Sequence, residues 1–188
     1  MSTLHPADRN ATLFTSFPRP EFQKTMITIR NKRTGEALFS LPEDATTGLI
    51  LPNAELAEAN LHEADLSGAV LYAANLKDAV LSRADLSFSD LSGAVFCGAD
   101  LSEANLAVAD LAMANLTGAI LVGADLAGAN LYGALMRGAQ MQRCDLKGAD
   151  LQDSDLEGAE LENAIYDEET RWPEGFSPQQ RGARLHLS

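Results

Sequence analysis

ADLSFSDLSGAVFCGADLSEANLAVADL, residues 84–111, repeats itself every five residues. Take the large apolar residue of each unit as position i. Leu86, Leu91, Phe96, Leu101, Leu106 and Leu111 then fall at equal steps. Two residues before each centre stands a small residue: Ala84, Ser89, Ala94, Ala99, Ala104 and Ala109. Between the two, Asp or Asn is the rule. Followed outward in both directions, the same A-(D/N)-L-x-x beat runs from Ala54 to Glu168, 23 units without an insertion. Met136 and Met141 also vary the centre, Tyr166 closes the run, and Cys144 and Ser154 join Ser89 in replacing the inner Ala.

A step of five fits neither the helical period nor the strand period. On a helix each step would turn about 500°, which carries the Leu residues to every side and leaves no apolar stripe. A coil that turns one corner per unit instead keeps every i and every i−2 residue inside. Stacked coils of that kind bury a continuous narrow core, the logic of a solenoid. Gly recurs at i+2 (Gly68, Gly93, Gly98, Gly118, Gly123 and five more up to Gly158), where a corner wants a residue without a Cβ.

With these residues the chain resembles the pentapeptide-repeat family, whose unit is A-(D/N)-L-x-x. The resemblance implies an all-β solenoid, a right-handed four-sided parallel β-helix with caps at both ends. Four units per coil make a little under six coils, a column roughly 28 Å long at ~4.8 Å per rung. Four parts are expected: a flexible arm over 1–25, a hairpin or cap over 26–53, the β-helix over 54–168 and a cap or tail over 169–188. The hairpin expectation rests on the alternating run Met26–Arg30, the polar turn Asn31–Glu36 and the apolar Ala37–Phe39. Trp172 and Phe176 are large enough to close the far end. Both flanks are similar to those of bacterial members of the family, including cyanobacterial-type ones.

The charge is unevenly distributed. The chain has 27 acidic and 14 basic residues, a net charge of −13. Residues 54–168 hold 20 of the acids and five of the bases, so all the excess negative charge lies on the repeat. Unwrapped at 20 residues per coil, one face carries Asp65, Asp85, Asn105, Asp125 and Asp145 at i−1, and the next carries Val70, Asp90, Asp110, Asn130 and Asp150. The other two faces are mixed, with Lys77, Arg83, Arg137 and Arg143 and apolar residues at i−1. The two acidic stripes are candidate contact surfaces for a basic partner; the plainer alternative is a charged surface that keeps the column soluble. Cation binding is disfavoured, because outward Asp residues on separate rungs do not converge on one ion. Direct nucleic-acid binding is disfavoured by charge.

Phe88, Val108 and Met113 sit at i+2, where Gly is usual. They form a candidate apolar contact patch for a partner or for a homodimer, or else they cover a corner or lie under the N-terminal arm.

Catalytic chemistry is missing. His5, His62 and His186 are scattered, and there is no phosphate loop, no dinucleotide fingerprint and no nucleophile elbow. Cys97 at i+1 and Cys144 at i−2 point to opposite sides of the wall, which suits a reducing compartment. No run is apolar enough for a signal peptide or a membrane span. The expectation is therefore a non-enzymatic, cytoplasmic protein-interaction scaffold, monomeric or homodimeric, with no cofactor and an unassigned protein partner. The resemblance adds one alternative: members of the quinolone-resistance (Qnr) type imitate duplex DNA and bind DNA gyrase or topoisomerase IV. This chain departs from that type in having no inserted loop, no apolar C-terminal dimerisation helix and a 50-residue N-terminal segment.

Overall fold

The computed structural model describes residues 26–42 and 48–187. The expected N-terminal arm, residues 1–25, lies outside the described residues.

The chain winds as a parallel β-helix of four sides. Backbone bridges link residues 20 apart through the whole column: Asp65 to Asp85, Asp85 to Asn105, Asn105 to Asp125 and Asp125 to Asp145 on one side, all parallel. Three further sides repeat the pattern through Val70, Asn75 and Val80. The coils run right-handed, the usual hand of parallel crossovers. Inside, the i and i−2 residues meet. Leu71, Leu76, Leu81, Leu86, Leu91 and Leu106 are fully buried, and so are Ala74, Ala79 and Ala84. Pairing a large residue with a small one on each wall fills the narrow square without strain.

The corners explain the rest of the unit. The amide of each i+3 residue donates to the carbonyl of residue i, as in Ala69 to Leu66 at 3.0 Å and Ala94 to Leu91 at 3.0 Å. The third residue of each such turn, position i+2, is left-handed, with φ of 64° at Gly68 and 64° at Gly93. That is a type II turn, in which Gly or Asn is preferred at this place. Three more amides of each unit bond to neighbouring coils: Asp85 N to Ala64 O (2.9 Å), Leu66 N to Asp85 O (2.7 Å) and Gly68 N to Ser87 O (2.8 Å). Only the amide at i+1 is left over, and its partner comes from the candidate site described below.

Inward Ser is tolerated because its hydroxyl finds a carbonyl at once. Ser89 Oγ donates to Leu86 O (2.5 Å) and Ser154 Oγ to Leu151 O (2.7 Å). Cys144 Sγ likewise donates to Leu121 O at 2.9 Å.

The column begins one unit before Ala54. Ile50 already bridges Val70, Leu49 is buried in the i−2 place, and Asn53 makes the corner at φ 57°. Residues 49–53 therefore belong to the coils and not to a cap. Leu fits there because no coil lies below to demand a small residue. Ahead of it, β1 (Met26–Asn31) and β2 (Ala37–Pro42) form an antiparallel hairpin. β1 also pairs antiparallel with β3 (Ala59–Asn60), so the hairpin seals one side of the first coil.

At the far end the register slips by one residue, since Asp150 bridges Arg171, 21 positions on. The extra residue is absorbed at Asp167, whose Oδ1 accepts from the amides of Gly148 (2.9 Å) and Thr170 (3.0 Å). Thr170 then takes the inward place and donates to Leu146 O at 2.9 Å. Trp172 follows in the i position, edge-on to Tyr166 with ring centroids 5.6 Å apart and stacked on Phe176 at 5.3 Å. A 3-10 turn (Pro178–Arg181) leads into β5 (Arg184–Leu185), which pairs parallel with β4 (Ile165–Tyr166) and adds a last rung.

Candidate interaction surface

The orphan amide at i+1 is capped by the side chain at i−1. Asp65 Oδ1 accepts from Ser67 N (3.1 Å), Asp85 from Ser87 N (3.0 Å), Asp90 from Ser92 N (3.1 Å) and Asp110 from Ala112 N (3.0 Å). Asp125, Asp145 and Asp150 do the same for Ala127, Lys147 and Gln152. Where Ser occupies i+1, its hydroxyl adds a second bond, 2.7 Å at both Asp65 and Asp85. These contacts hold the Asp65 carboxyl below the usual carboxylate range, with the Ser67 hydroxyl the main cause.

Asn performs the same capping. Asn105 Oδ1 accepts from Ala107 N and Asn130 Oδ1 from Tyr132 N, each at 3.1 Å. The two Asn residues also donate down the ladder, to Asp85 Oδ1 (3.1 Å) and Asp110 Oδ1 (3.0 Å). A short side chain with an acceptor oxygen at i−1 thus caps the turn, and neutral Asn does so as well as charged Asp does; units with Val70, Val80 or Ile120 at i−1 wind in the same ladders without it. Sequence reasoning took the Asp residues at i−1 only as charge and missed this turn; the signal was present, since Asp and Asn interchange there freely.

The structure places Asp65, Asp85, Asp125 and Asp145 on one ladder and Asp90, Asp110 and Asp150 on the adjacent one. Only Oδ1 is tied down by the turn, so each carboxylate is fixed with its other oxygen outward. The neighbouring ladders are nearly free of bases. Lys147 pairs with Asp145 at 3.0 Å, which raises the Lys147 ammonium above its ordinary range, and Arg171 lies 3.4 Å from Asp150. The remaining two sides are acidic as well, through Glu55, Glu58, Glu103, Glu157 and Glu160, but there the acids meet arginines. Arg83 joins Glu103 (2.8 Å) and Glu63 (3.8 Å), and Arg137 joins Asp155 (3.5 Å) and Glu157. The contrast between sides thus lies in pairing and side-chain length as well as in the sign at i−1.

Phe88, Val108 and Met113 are exposed at 69%, 54% and 64%. All three are left-handed corner residues, with φ of 58°, 58° and 60°. Phe88 and Val108 stack one coil apart at one corner, and Met113 stands at the next corner along. Two of the three lean toward a Gly: a Cβ on Gly128 would meet Val108 Cγ2 at 3.5 Å, and one on Gly133 would meet Met113 Sδ at 2.5 Å. Tyr72 and Tyr132, at i+1 beside Met113's corner, are exposed too and were missed in the sequence. Their spacing, a whole number of 20-residue coils, was the available signal.

Cys144 is buried and its thiol is pushed up to about 12 by desolvation, so it is inert; Cys97 is half-buried on the outer wall, and both are free thiols. Among the described residues no group of His, Cys, Asp and Glu is arranged to hold a metal ion, and no helix is long and apolar enough to cross a membrane.

The profile of a known family, described as Pentapeptide repeats, matches in eight copies at residues 47–78, 79–111, 109–148 and 144–165. The chain belongs to the pentapeptide-repeat family. Its match begins at residue 47, in keeping with the early start of the coils. Among solved pentapeptide-repeat proteins, the chain is similar to HetL from the cyanobacterium Nostoc sp. strain PCC 7120, a protein involved in regulation of heterocyst differentiation. The identity is 32% over 76% of this chain and 69% of that one, with a TM-score of 0.32. It is similar to Rfr23 from the cyanobacterium Cyanothece 51142, 32% identical over 68% of this chain and 86% of that one, TM-score 0.32. It is also similar to QnrB1, a plasmid-mediated fluoroquinolone resistance protein. There the identity is 21% over 75% of this chain and 85% of that one, with a TM-score of 0.46. A search of curated proteins gave no match.

Proposed function

We propose that this pentapeptide-repeat protein is a non-enzymatic interaction scaffold whose acidic sides engage a basic protein surface. One observation carries this: Asn caps the i+1 amide as well as Asp does, yet Asp stands on Asp at Asp65–Asp85, Asp90–Asp110 and Asp125–Asp145. Stacking like charges on rungs ~4.8 Å apart opposes folding. Charge kept against that repulsion, where the turn does not need it, serves something outside the column.

The test is titration with oligolysine, read by calorimetry at several salt concentrations, against a variant carrying Asp65→Asn, Asp85→Asn, Asp125→Asn and Asp145→Asn together. The variant retains every turn cap, so it should melt no lower than the parent. Binding that weakens with salt and weakens further in the variant supports the scaffold. Equal binding by both proteins removes the ladders from the contact surface.

A second function is favoured by charge density: imitation of duplex DNA toward a type II topoisomerase. Seven rungs span about 29 Å at ~4.8 Å each, and the net −15 of the repeat gives one charge per roughly 1.9 Å. Duplex DNA carries one per about 1.7 Å. Supercoiling by gyrase and decatenation by topoisomerase IV, each with parent and variant, decide it. Inhibition by the parent that fades in the variant establishes imitation, and no effect on either enzyme ends it.

A further inference from the structure

We infer that the side bearing Asp90, Asp110 and Asp150 is a docking face for a cationic amphipathic protein segment, one that presents Lys or Arg together with apolar side chains. The inference rests on the acidic-scaffold function above and names the class of its partner.

Among the described residues nine large apolar side chains are exposed, and six of them lie on this side or along its two edges. Ile50 stands in its bridge ladder, Phe88 and Val108 line one edge, and Tyr72, Met113 and Tyr132 line the other. Between the edges run the carboxylates. None of the outward positions from Val70 to Asp153 on this side holds Lys or Arg. Such a concentration on one of four equivalent sides is not explained by the repeat, which constrains only the inner residues and the caps.

Three of the six are also held in an unfavourable backbone state. Phe88, Val108 and Met113 occupy type II corners in the left-handed region, which disfavours any residue with a Cβ and a β-branched one most. Ten equivalent corners carry Gly, and ten others carry Ala or a polar residue in the same left-handed state, so these three differ from the other corners in exposing a large apolar side chain there.

Charge decides the occupant. A second copy of this chain placed face to face across a two-fold axis would set Asp90 and Asp110 against the partner's own carboxylates with no base between them. A cationic segment meets no such repulsion. Its ammonium or guanidinium groups reach the fixed carboxylates and the faces of Tyr72, Phe88 and Tyr132, where cation–π attraction adds. Its apolar side chains cover the Phe88–Val108 edge and Met113.

The experiment uses the full chain and two synthetic peptides of equal Lys content, one built of Lys and Leu in a helical amphipathic pattern, the other of Lys and Ser. Affinity is read by fluorescence anisotropy. The parent should bind the Lys–Leu peptide about tenfold tighter or more, since apolar anchors dominate contact energies. In a variant with Phe88→Gly, Val108→Gly and Met113→Gly that advantage should vanish while Lys–Ser binding stays unchanged. Gly suits all three corners, so the variant should melt no lower than the parent, and a lost advantage cannot be ascribed to unfolding. Equal affinity of the parent for both peptides, or an advantage retained by the variant, overturns the docking face and leaves the acidic scaffold standing. A parent that runs as a dimer by light scattering, and a variant that runs as a monomer, assigns the face to a second copy and overturns the inference. Failure of both peptides to bind the parent removes the acidic scaffold as well.

Discussion

Two opposite sides of the column share one backbone and one core but present different surfaces. The side of Asp90, Asp110 and Asp150 has short carboxylates locked by turns, apolar edges and no base before Arg171. The opposite side runs Asn60, Val80, Asp100, Ile120, Gln140 and Glu160, with Arg83 clamped between Glu63 and Glu103. Of each unit's five residues, two are committed to the core. The outward groups at i−1, i+1 and i+2 differ between sides, with a turn cap where Asp or Asn stands at i−1, and whatever distinguishes this protein from another column of the same length is written there.

The largest effect should be blind to the contrast. Leu111 lies behind the docking side and Leu101 behind the opposite one, both fully buried. Leu111→Ala and Leu101→Ala should each cost about 2–5 kcal/mol in urea melts. Values that agree show one shared core; a large gap between them would mean that the sides are not mechanically equivalent.

Next comes the cap. Asp110→Ala strands the Ala112 amide and the Asn130 donor, and should cost about 1 kcal/mol or somewhat more. Asp110→Asn restores the acceptor and removes a like-charge contact with Asp90, so its midpoint should match or exceed the parent's. Equal losses in both variants would show that the charge, not the turn, holds that position.

Val108→Gly should raise stability, by up to about 1 kcal/mol, as the left-handed corner relaxes. A loss would mean that Val108 contributes packing beyond what its 54% exposure allows. Smallest of all is Glu103→Gln on the opposite side. Arg83 and Glu103 are both more than half exposed, and breaking such a pair should leave the urea midpoint almost unchanged. Added salt should erase the difference.

Much of the molecule was legible in the chain because the repeat is a geometric constraint repeated many times. A five-residue step with Leu and Ala at fixed offsets leaves one way to bury both, and Gly at i+2 marks the corner because the turn is left-handed there. The ladders of Asp65–Asp145 and Asp90–Asp150 followed from counting by 20. Less legible was what broke the beat. Residues 49–53 lack the Ala and the Asp yet make a full unit, because the end of a column does not demand a small inner residue. The extra residue near Asp167 hid Thr170 and Trp172 from the register until the carboxylate of Asp167 was seen to absorb it. The sequence by itself determined the coil, the core and the order of the sides, since burial and turn chemistry act on each unit locally. Only the tertiary structure decided that Asp and Asn serve one turn, that Tyr72 and Tyr132 join Met113 along one edge, and that one side gathers most of the exposed apolar residues around Asp90 and Asp110. Those relations link residues on different coils, 20 to 60 positions apart, and they exist only once the coils are stacked.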